Sequence, residues 1–494
     1  MDDKKIPKKI NSVIRDLDLP AKFDPGVLKQ AKKLPKELSE SMIQAEISRG
    51  RKDLRSKKIV TIDGADAKDL DDGVFAERRE DGKISLGVYI ADVSFYVKEN
   101  SPIDRCARDR GTSIYLVDKV LPMLPIELSN GICSLNEGVD RFAMACEMTL
   151  DSTGKILRHR IFPAVIRVDR RLTYDLANQI LDSDPLLKLL KEIRDLRLEI
   201  RRARGSIEFE LPDIKVVLDR KNRPVELKKI GGSISESIIE ECMLAANETV
   251  ARHLSKKHVP SLYRIHGEPS RDKLLELNHI LARFNLYIPL KSGEEIHPSE
   301  IRRVVEASKK RPEEKLIHMM TLRSMQQARY SSERDLHFGL ATDFYTHFTS
   351  PIRRYPDLIV HRILREISEQ KKLPIKRREH YQKILPKIAD HSSETERRAA
   401  MAERISVNLK VTEFMSKFIG KKFQAIVSGV MNFGFFVELE NLAEGLVHAS
   451  EIPRKFWDYQ PQIGDHVEVL LLRADIPQRH LDFRLMEIPK SKSV

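Results

Sequence analysis

Five aspartates lie within ten residues of this chain, and four of them are the candidate functional residues: Asp63, Asp69, Asp71 and Asp72. Carboxylates this close repel one another, and each raises the pKa of its neighbours unless a cation neutralises the group. An all-oxygen ligand set suits hard divalent ions, of which Mg²⁺ is the usual choice in proteins. Because magnesium held by a few carboxylates leaves coordination positions for phosphate oxygens, this spacing predicts phosphoryl-transfer chemistry.

An EF-hand loop and a solvated acidic turn are the alternative interpretations of segment 61–73. An EF-hand loop needs acids at positions 1, 3 and 5, glycine at 6 and glutamate at 12. No starting position in the segment meets that pattern. The solvated turn stays open as an alternative, although dense acid at a strand end is costly without a cation.

A second candidate segment, 345–362, carries two adjacent arginines, Arg353 and Arg354, between Pro351 and Pro356. A guanidinium binds phosphate oxygens through two parallel hydrogen bonds in a plane, which lysine cannot do. The prolines stiffen the backbone around the pair. Two adjacent arginines are more often a surface pair when considered alone. In a chain with the aspartate cluster, they are candidates for stabilising charge on a phosphoryl group.

These side chains need a rigid frame, and the sequence predicts one of mixed type. Segments 58–62 and 84–93 are β-rich, and the first runs directly into the aspartates, where a strand end would fix their geometry. Asp184 is a predicted N-cap, and Gly205 ends the helix that follows it. Residues 237–256 predict a second helix. Since strands and helices alternate without a strict βαβ rhythm, the fold class is predicted as α+β.

The flanking segments differ in texture. Residues 1–58 are polar and basic, and they predict short helices and loops with little core of their own. Segment 368–388 is rich in lysine and predicts a surface excursion, with helix resuming over 393–418. About five short strands after residue 419 predict a small closed barrel of the OB type, which commonly binds single-stranded nucleic acid.

Composition indicates which kind of binding partner and which cellular compartment fit this chain. The chain has 494 residues, a net charge of +13 and a pI near 9.3, which favours a polyanionic partner, although an ordinary basic protein fits as well. The four cysteines form no CxxC pair, so neither a zinc site nor a redox motif is indicated. No apolar run approaches the ~18 residues of a membrane span, and the N-terminus has no apolar signal core. A cytoplasmic location without membrane association is therefore predicted.

The chain resembles the ribonuclease II / ribonuclease R family of RNB-domain exoribonucleases. The resemblance runs from about Ile59 to Glu487, and the Arg-Arg-Tyr form of the second segment is closer to ribonuclease R. The motifs that carry it are Thr61-Ile-Asp63, Asp69-Leu-Asp-Asp72, Tyr89-Ile-Ala-Asp-Val-Ser94, Leu121-Pro-Met-Leu-Pro125, Leu128-Ser-Asn-Gly-Ile-Cys-Ser134, Arg171-Leu-Thr-Tyr174, His337-Phe-Gly-Leu340 and Ser350-Pro-Ile-Arg-Arg354.

The resemblance implies a basic segment over 1–58, a mixed sheet-and-helix RNB catalytic domain over 59–418, a five-stranded S1 barrel over 419–489 and a short tail over 490–494. Members of the family normally carry two cold-shock domains ahead of the catalytic domain. Because 58 residues cannot hold them, this chain is predicted to lack them.

The resemblance also implies a function: processive 3′-to-5′ hydrolysis of single-stranded RNA to nucleoside 5′-monophosphates by a monomer. The four aspartates correspond to the family's ligands for two Mg²⁺ ions, for which Mn²⁺ is a substitute. Asp71 and Arg353 take the catalytic roles. Tyr115 corresponds to the family's tyrosine that packs on the terminal bases of the RNA and governs the length of the end product, and Phe209 is its partner in this aromatic clamp. The other positions assigned to RNA contacts are Glu241, Arg354, Phe433, Phe436, His448, Asp475 and Arg479.

Two other functions stay open at this stage. The first is a catalytically silent relative that binds RNA without cutting it, although such relatives tend to lose acids and all four remain here. The second is a metal-dependent phosphodiesterase for a small molecule, which would not need a strand-binding barrel.

Overall fold

A computed structural model describes residues 8–209, 211–290, 295–370 and 372–488. The chain begins with three short helices, α1 Lys8–Asp16, α2 Pro25–Ala31 and α3 Glu40–Ser48. Their buried apolar side chains complete clusters built by later segments; Val13, for example, belongs to a cluster with Ile114. The prediction of short helices with little core of their own is confirmed. Up to residue 50 the described part contains no strand, so no cold-shock barrel lies there.

A six-stranded mixed sheet forms the centre of the next region. Its strands and the intervening elements are β1 Lys52–Asp53, β2 Ile59–Asp63, β3 Asp72–Arg78, β4 Ile84–Ala91, α4 Val93–Tyr96, α5 Pro102–Arg110, β5 Ile114–Leu116, β6 Lys119–Leu121, a one-turn π-helix Glu127–Ile132, β7 Asp140–Leu150 and β8 Ile156–Thr173. The strand order is β1-β8-β2-β3-β4-β7, and β5 and β6 form a separate hairpin. The long strand β8 is parallel to β1 and β2 and antiparallel to β7, the last strand of the order. Because β8 is paired with both β2 and β7, the sheet curls back on itself.

The sheet explains why the aspartates converge. β2 and β3 are antiparallel neighbours that pair at Val60 and Val74. β2 ends at Asp63 and β3 begins at Asp72, so both residues lie at the same edge of the sheet. The predicted strand running into the acidic segment is therefore confirmed.

Helices cover the remainder of this region. The elements are α6 Tyr174–Ile180, α7 Pro185–Arg204, β9 Asp213–Leu218, β10 Pro224–Ile230, α8 Ile234–Lys256, β11 Tyr263–Ile265, α9 Arg271–Leu281, α10 Pro298–Ser308, α11 Glu314–Ser324, β12 Arg329–Ser331, α12 Tyr355–Gln370 and α13 Ile375–Met415. The predicted ends of α7 are confirmed: Asp184 accepts hydrogen bonds from two backbone amides of the first turn, and Gly205 ends the helix in a left-handed conformation. α8 begins three residues earlier than predicted, because Ser233 and Glu236 form a capping box.

The prediction of a surface excursion over 368–388 is largely wrong. α13 is a single helix of 41 residues with Pro386 inside it, and at 1.5 Å per residue it is about 60 Å long. Tyr381 and Leu385 are fully buried, so the apolar face of the helix continues through the lysine-rich segment.

Among the described residues, no helix combines the length and apolar character that a membrane-spanning segment requires.

A closed five-stranded barrel follows α13, as predicted. Its strands are β13 Lys422–Met431, β14 Gly434–Leu439, β15 Glu444–His448, β16 His466–Asp475 and β17 His480–Glu487, in the order β13-β14-β15-β17-β16. Phe435 and Phe483 are fully buried in its core. Val411 and Met415 at the end of α13 belong to the same cluster, so the helix packs directly against the barrel.

Candidate active site

The four aspartates line one cavity of about 320 Å³, which we call the carboxylate cavity. Asp63 and Asp72 come from the ends of β2 and β3, and Asp69 and Asp71 from the loop that joins these strands. Arg353 also lines the cavity. The two segments that sequence analysis singled out are therefore brought together.

The aspartate loop is held in place by Ser134, which is fully buried. Its hydroxyl accepts a hydrogen bond of 3.1 Å from the backbone amide of Leu70 and donates one of 2.9 Å to the carbonyl of Lys68. The amide of Ala91 at the end of β4 donates to the carbonyl of Asp71 at 2.8 Å. Sequence analysis missed this role of Ser134, although the residue belongs to the motif 128–134.

Asp71 is the most buried of the four aspartates, with 4% of its surface exposed. Its Oδ1 atom accepts a hydrogen bond of 2.8 Å from the backbone amide of Ile352, whereas its Oδ2 atom is buried without a hydrogen-bond partner. The Nε atom of Arg353 lies 3.9 Å from that Oδ2 atom. Burial raises the pKa of Asp71 well above its ordinary value, against the opposing charge of Arg353.

Asp63 and Asp72 have pKa values that are also raised. Burial raises the pKa of Asp63 to about 6, although the charge of Arg171 opposes the shift. Burial, followed by the charge of Asp63, raises the pKa of Asp72 to about 7. Protein groups alone therefore compensate these negative charges incompletely.

The carboxylates fit a hard divalent cation. The Oδ2 atoms of Asp63 and Asp71 are buried and lack any hydrogen-bond partner, and a cation would satisfy such oxygens. Within the described residues, no three His, Cys, Asp or Glu side chains are already gathered as ligands of one ion. Asp69 is instead hydrogen-bonded to Tyr115, whose phenol donates to its Oδ2 atom at 2.8 Å. The role of all four aspartates as ligands therefore stays a prediction.

Arg353 is fixed through its backbone, while its side chain remains 43% exposed to the cavity. Its carbonyl accepts hydrogen bonds from the Thr112 hydroxyl at 3.0 Å and the Ser113 amide at 2.9 Å, just before β5. Its Nη2 atom donates to the Ser350 hydroxyl at 3.1 Å. Arg354 lines the same cavity, but its guanidinium is held at 2.8 Å by the buried carboxylate of Asp357. Arg353 is thus the freer of the two cations.

Glu241 requires a correction. The sequence predicted a contact between Glu241 and RNA, but this residue is only 1% exposed and forms an ion pair of 2.7 Å with Arg201. The neighbouring Glu240 is exposed and lines the carboxylate cavity instead. On α8, adjacent residues point about 100° apart, so a shift of one position exchanges a buried carboxylate for an accessible one.

The two predicted clamp aromatics lie in different surroundings. Tyr115, on β5, reaches the aspartates through its hydrogen bond to Asp69. Phe209 packs in a separate apolar cluster, with its ring 6.2 Å from that of His318. Among the described rings, Tyr115 and Phe209 make no direct contact, so a clamp would need bases between them.

The predicted RNA-facing residues of the barrel divide into two groups. Phe433, Phe436 and Arg479 line a cavity of about 420 Å³ between the barrel and α13. His448 and Asp475 do not line it. The ring of His448 is hydrogen-bonded to Ser450 at 2.8 Å, and Asp475 is paired with Arg473.

Sequence analysis also missed two polar residues of the carboxylate cavity, Tyr174 and Asn247. Tyr174 ends the motif 171–174 and begins α6, so its place in that motif was an available signal. Asn247 is buried in α8, where its Oδ1 atom accepts from the amide of Phe348 at 2.9 Å and its Nδ2 atom donates to the hydroxyl of Tyr345 at 3.3 Å. Nothing in the local pattern of α8 distinguished Asn247 from a core position.

Comparison with known proteins identifies the family. Residues 51–370 match the RNB domain, and residues 416–483 match the S1 RNA binding domain. Ribonuclease R of Thermotoga maritima is 39% identical over 99% of this chain and 71% of its own length.

The chain belongs to the ribonuclease R family of RNB-domain proteins.

Two further relatives, both ribonuclease R proteins, are similar to nearly the whole of this chain. Ribonuclease R 1 of Lactococcus lactis is 40% identical over 96% of this chain, which spans only 60% of that relative's length. The structure of Mycoplasma genitalium RNase R in complex with ribose methylated single-stranded RNA superimposes with a TM-score of 0.90 at 30% identity. It covers 97% of this chain, which spans 77% of the Mycoplasma protein.

Proposed function

We propose that this protein is a hydrolytic 3′-to-5′ exoribonuclease that degrades single-stranded RNA processively to nucleoside 5′-monophosphates. The observation that carries the proposal is the convergence of four aspartates and Arg353 on one cavity. Membership of the ribonuclease R family and the S1 match support an RNA substrate. The Mycoplasma relative has structures with single-stranded RNA and with double-stranded RNA, which support RNA as the polymer that is bound.

Divalent ions, Mg²⁺ by preference and two in number, would be held by Asp63, Asp69, Asp71 and Asp72. When bound, they activate a water molecule and stabilise the leaving 3′-oxygen. The chain's own residues supply the remaining requirements. Asp71 is oriented by the amide of Ile352, which leaves its buried Oδ2 atom without a hydrogen-bond partner beside the cavity. Arg353 offers an accessible guanidinium for the non-bridging phosphate oxygens.

The path of the RNA strand outside the carboxylate cavity is also a proposal. Tyr115 would stack on the terminal bases, with Phe209 on the far side of the stack. Phe433, Phe436 and Arg479 would hold the strand at the barrel, because aromatic rings and a guanidinium bind any base or phosphate without sequence preference. Arg354 contributes positive charge to the cavity wall, while His448 and Asp475 would bind only at the barrel's edge.

The proposal is tested by a matched pair of substitutions in the aspartate loop. Wild-type protein, incubated with Mg²⁺ and single-stranded RNA labelled at its 5′ end, should give a descending ladder, monophosphates and one short limit product. Asp71→Asn should lower the rate by about 10²–10³-fold or more while RNA binding is kept. Asp66→Asn is the control, because the Asp66 side chain is 94% exposed and does not line the carboxylate cavity.

Two outcomes would contradict the proposal. Equal activity of Asp71→Asn and Asp66→Asn would remove the carboxylate cavity from the chemistry. RNA retention without cleavage in Mg²⁺ or Mn²⁺ would favour the catalytically silent alternative. A small-molecule phosphodiesterase would instead turn over dinucleotides faster than long strands.

The remaining assignments are proposals of the same kind. The catalytic domain would extend over 59–418 and the S1 barrel over 419–489, with a basic segment over 1–58 and a tail over 490–494. A cytoplasmic monomer fits these features. Size-exclusion chromatography with light scattering tests the monomer, and thermal shift with Mg²⁺, Mn²⁺ and Ca²⁺ tests the preferred ion without relying on activity.

A further inference from the structure

A large cavity is bordered by the central sheet and α8, away from the aspartates. This sheet-face cavity has a volume of about 870 Å³ and shares no lining residue with the carboxylate cavity. Two rows of paired residues contribute to its lining across β3, β4, β7 and β8. The rows are Phe75, Gly87, Glu147 and Arg160, and Glu77, Ser85, Thr149 and Arg158. The C-terminal half of α8, which contacts the other face of these strands at Met148 and His159, adds Thr249, Arg252 and Lys256 to the lining.

The lining of the sheet-face cavity is strongly cationic. Its basic side chains are those of Lys57, Arg79, Arg158, Arg160, Arg252 and Lys256, whereas Glu77 and Glu147 are its only carboxylates. Glu147 is already paired with Lys57 at 3.2 Å and Arg160 at 2.8 Å. The net positive charge of the lining therefore comes from the basic side chains that are not paired with Glu147.

Three of these cations have no acidic partner among the described residues: Arg158, Arg252 and Lys256. The guanidinium of Arg252 lies 5.3 Å from the ring centre of Phe344, and that contact leaves its charge uncompensated. Arg158 and Lys256 are exposed in the lining of the same cavity. Clustered cations that outnumber the nearby acids attract a polyanion, because the summed field exceeds that of any single side chain.

A histidine pair beside these cations responds to the same field. The Nε2 atom of His159, in the cavity lining, lies 3.0 Å from the Nδ1 atom of His253. Burial, and then the charges of Lys256 and Arg252, lowers the pKa of His159. A bound anion would oppose that effect, so His159 is a built-in reporter of occupancy.

We infer that the sheet-face cavity binds the phosphate backbone of an RNA segment outside the carboxylate cavity. This inference rests on the proposed function, because it takes RNA as the substrate. α8 lines the carboxylate cavity up to Asn247 and the sheet-face cavity as far as Lys256, which at 1.5 Å per residue is about 14 Å further along the helix. An RNA strand held at both places would remain bound while its 3′ end is shortened.

Charge and shape favour RNA over the other anions. A lining with six cations from the strands, their flanks and α8 suits a chain of phosphates, and guanidinium groups bind phosphate oxygens through two hydrogen bonds. Free nucleoside monophosphates and acidic peptides are the competing ligands, and the experiment separates them.

The test is the triple variant Arg158→Ala/Arg252→Ala/Lys256→Ala. The matched control is Lys376→Ala/Lys383→Ala/Lys387→Ala, which removes the same charge from exposed positions on α13 outside both cavities. Binding is measured by fluorescence anisotropy without divalent ions, using RNAs of about 30 and about 6 nucleotides over a range of salt concentrations.

The triple variant should bind the long RNA about tenfold or more weakly than wild type and the control. Its slope of log K against log salt should be shallower by about 2, since each lost phosphate contact contributes about 0.7. Affinity for the short RNA and its hydrolysis with Mg²⁺ should be unchanged. In wild type, the long RNA should raise the pKa of His159, followed by NMR.

Three outcomes would overturn the inference. One is equal long-RNA affinity in the triple variant and the control. The second is that the triple variant loses binding to AMP but keeps its binding to the long RNA. The third is that it loses binding to polyglutamate but keeps its binding to the long RNA. Failure of the proposed function would appear separately, as absence of hydrolysis by the wild-type protein.

Discussion

The phenol of Tyr115 donates a hydrogen bond of 2.8 Å to the Oδ2 atom of Asp69. The backbone amide of Tyr115 donates at 2.8 Å to Glu403 on α13, so the residue is anchored on both sides. One contact thus joins a residue proposed to stack on RNA to a residue proposed to bind metal. A ligand that takes the lone pair of Asp69 now used by the phenol would displace Tyr115 and free its ring to turn.

Substitution of Tyr115 separates the ring from the hydroxyl. We expect Tyr115→Ala to lengthen the limit product by a few nucleotides, because the terminal bases lose their stacking surface. Tyr115→Phe keeps the ring and should leave the limit product unchanged. High-resolution gels of labelled RNA measure both. Identical limit products for wild type and Tyr115→Ala would exclude Tyr115 from the clamp.

Removal of the Ser134 hydroxyl should loosen the aspartate loop. Ser134→Ala leaves the buried amide of Leu70 without its partner, which we expect to lower the free energy of unfolding by about 1–3 kcal/mol. The rate of hydrolysis should also fall, since Asp69 and Asp71 are carried by that loop. Urea denaturation and initial rates measure the two effects.

The control for Ser134 is Ser183→Ala, which removes an exposed hydroxyl bonded to the carbonyl of Ile180. Its effect on stability should stay within about 0.5 kcal/mol. Equal effects of the two substitutions would show that Ser134 does not restrain the loop.

Substitutions of Glu240 and Glu241 should have different effects, one on substrate binding and the other on the free energy of unfolding. Glu241→Ala breaks a buried ion pair with Arg201 and should lower the free energy of unfolding by about 3 kcal/mol. Glu240→Ala changes an exposed residue of the carboxylate cavity and should alter KM with little effect on stability. The reverse pattern in denaturation and steady-state kinetics would restore Glu241 as the residue that contacts RNA.

His253 should make stability depend on pH. Burial lowers its pKa from an ordinary 6.5 to about 4, so between these values the unfolded chain binds a proton that the folded protein does not. The free energy of unfolding should therefore decrease as the pH falls from about 6.5 to about 4. His253→Gln should reduce that slope, measured by urea denaturation at several pH values.

The control for His253 is His480→Gln, at an exposed position of the barrel. An unchanged slope in His253→Gln would mean that other groups, such as the half-buried His337, carry the dependence. The pKa of His337 is lowered to about 3, mainly by burial.

Local signals in the sequence predicted several elements correctly, for identifiable reasons. The N-cap Asp184 and the terminal Gly205 bounded α7 because both act on their own helix ends. The strand ahead of Asp63 followed from its apolar residues. Such features depend on neighbours in the chain, and they require no knowledge of tertiary contacts.

The failures depended on tertiary contacts. The lysines before Pro386 suggested a loop, yet burial of Tyr381 and Leu385 against the body holds that segment helical. The assignment of Glu241 in place of Glu240 failed because only the packing of α8 decides which carboxylate meets Arg201. The hydrogen bond between Tyr115 and Asp69 joins residues 46 positions apart, and no local pattern announces it.

The unbroken course of α13 restricts how this chain can change in length. In a continuous helix each inserted residue turns everything beyond it by 100° and advances it by 1.5 Å. One added residue between Ile375 and Met415 would therefore present a different side of the barrel to the body, whereas the same insertion in a surface loop would be absorbed. Evolution of this chain should tolerate gain or loss of residues in its loops far more readily than in this helix.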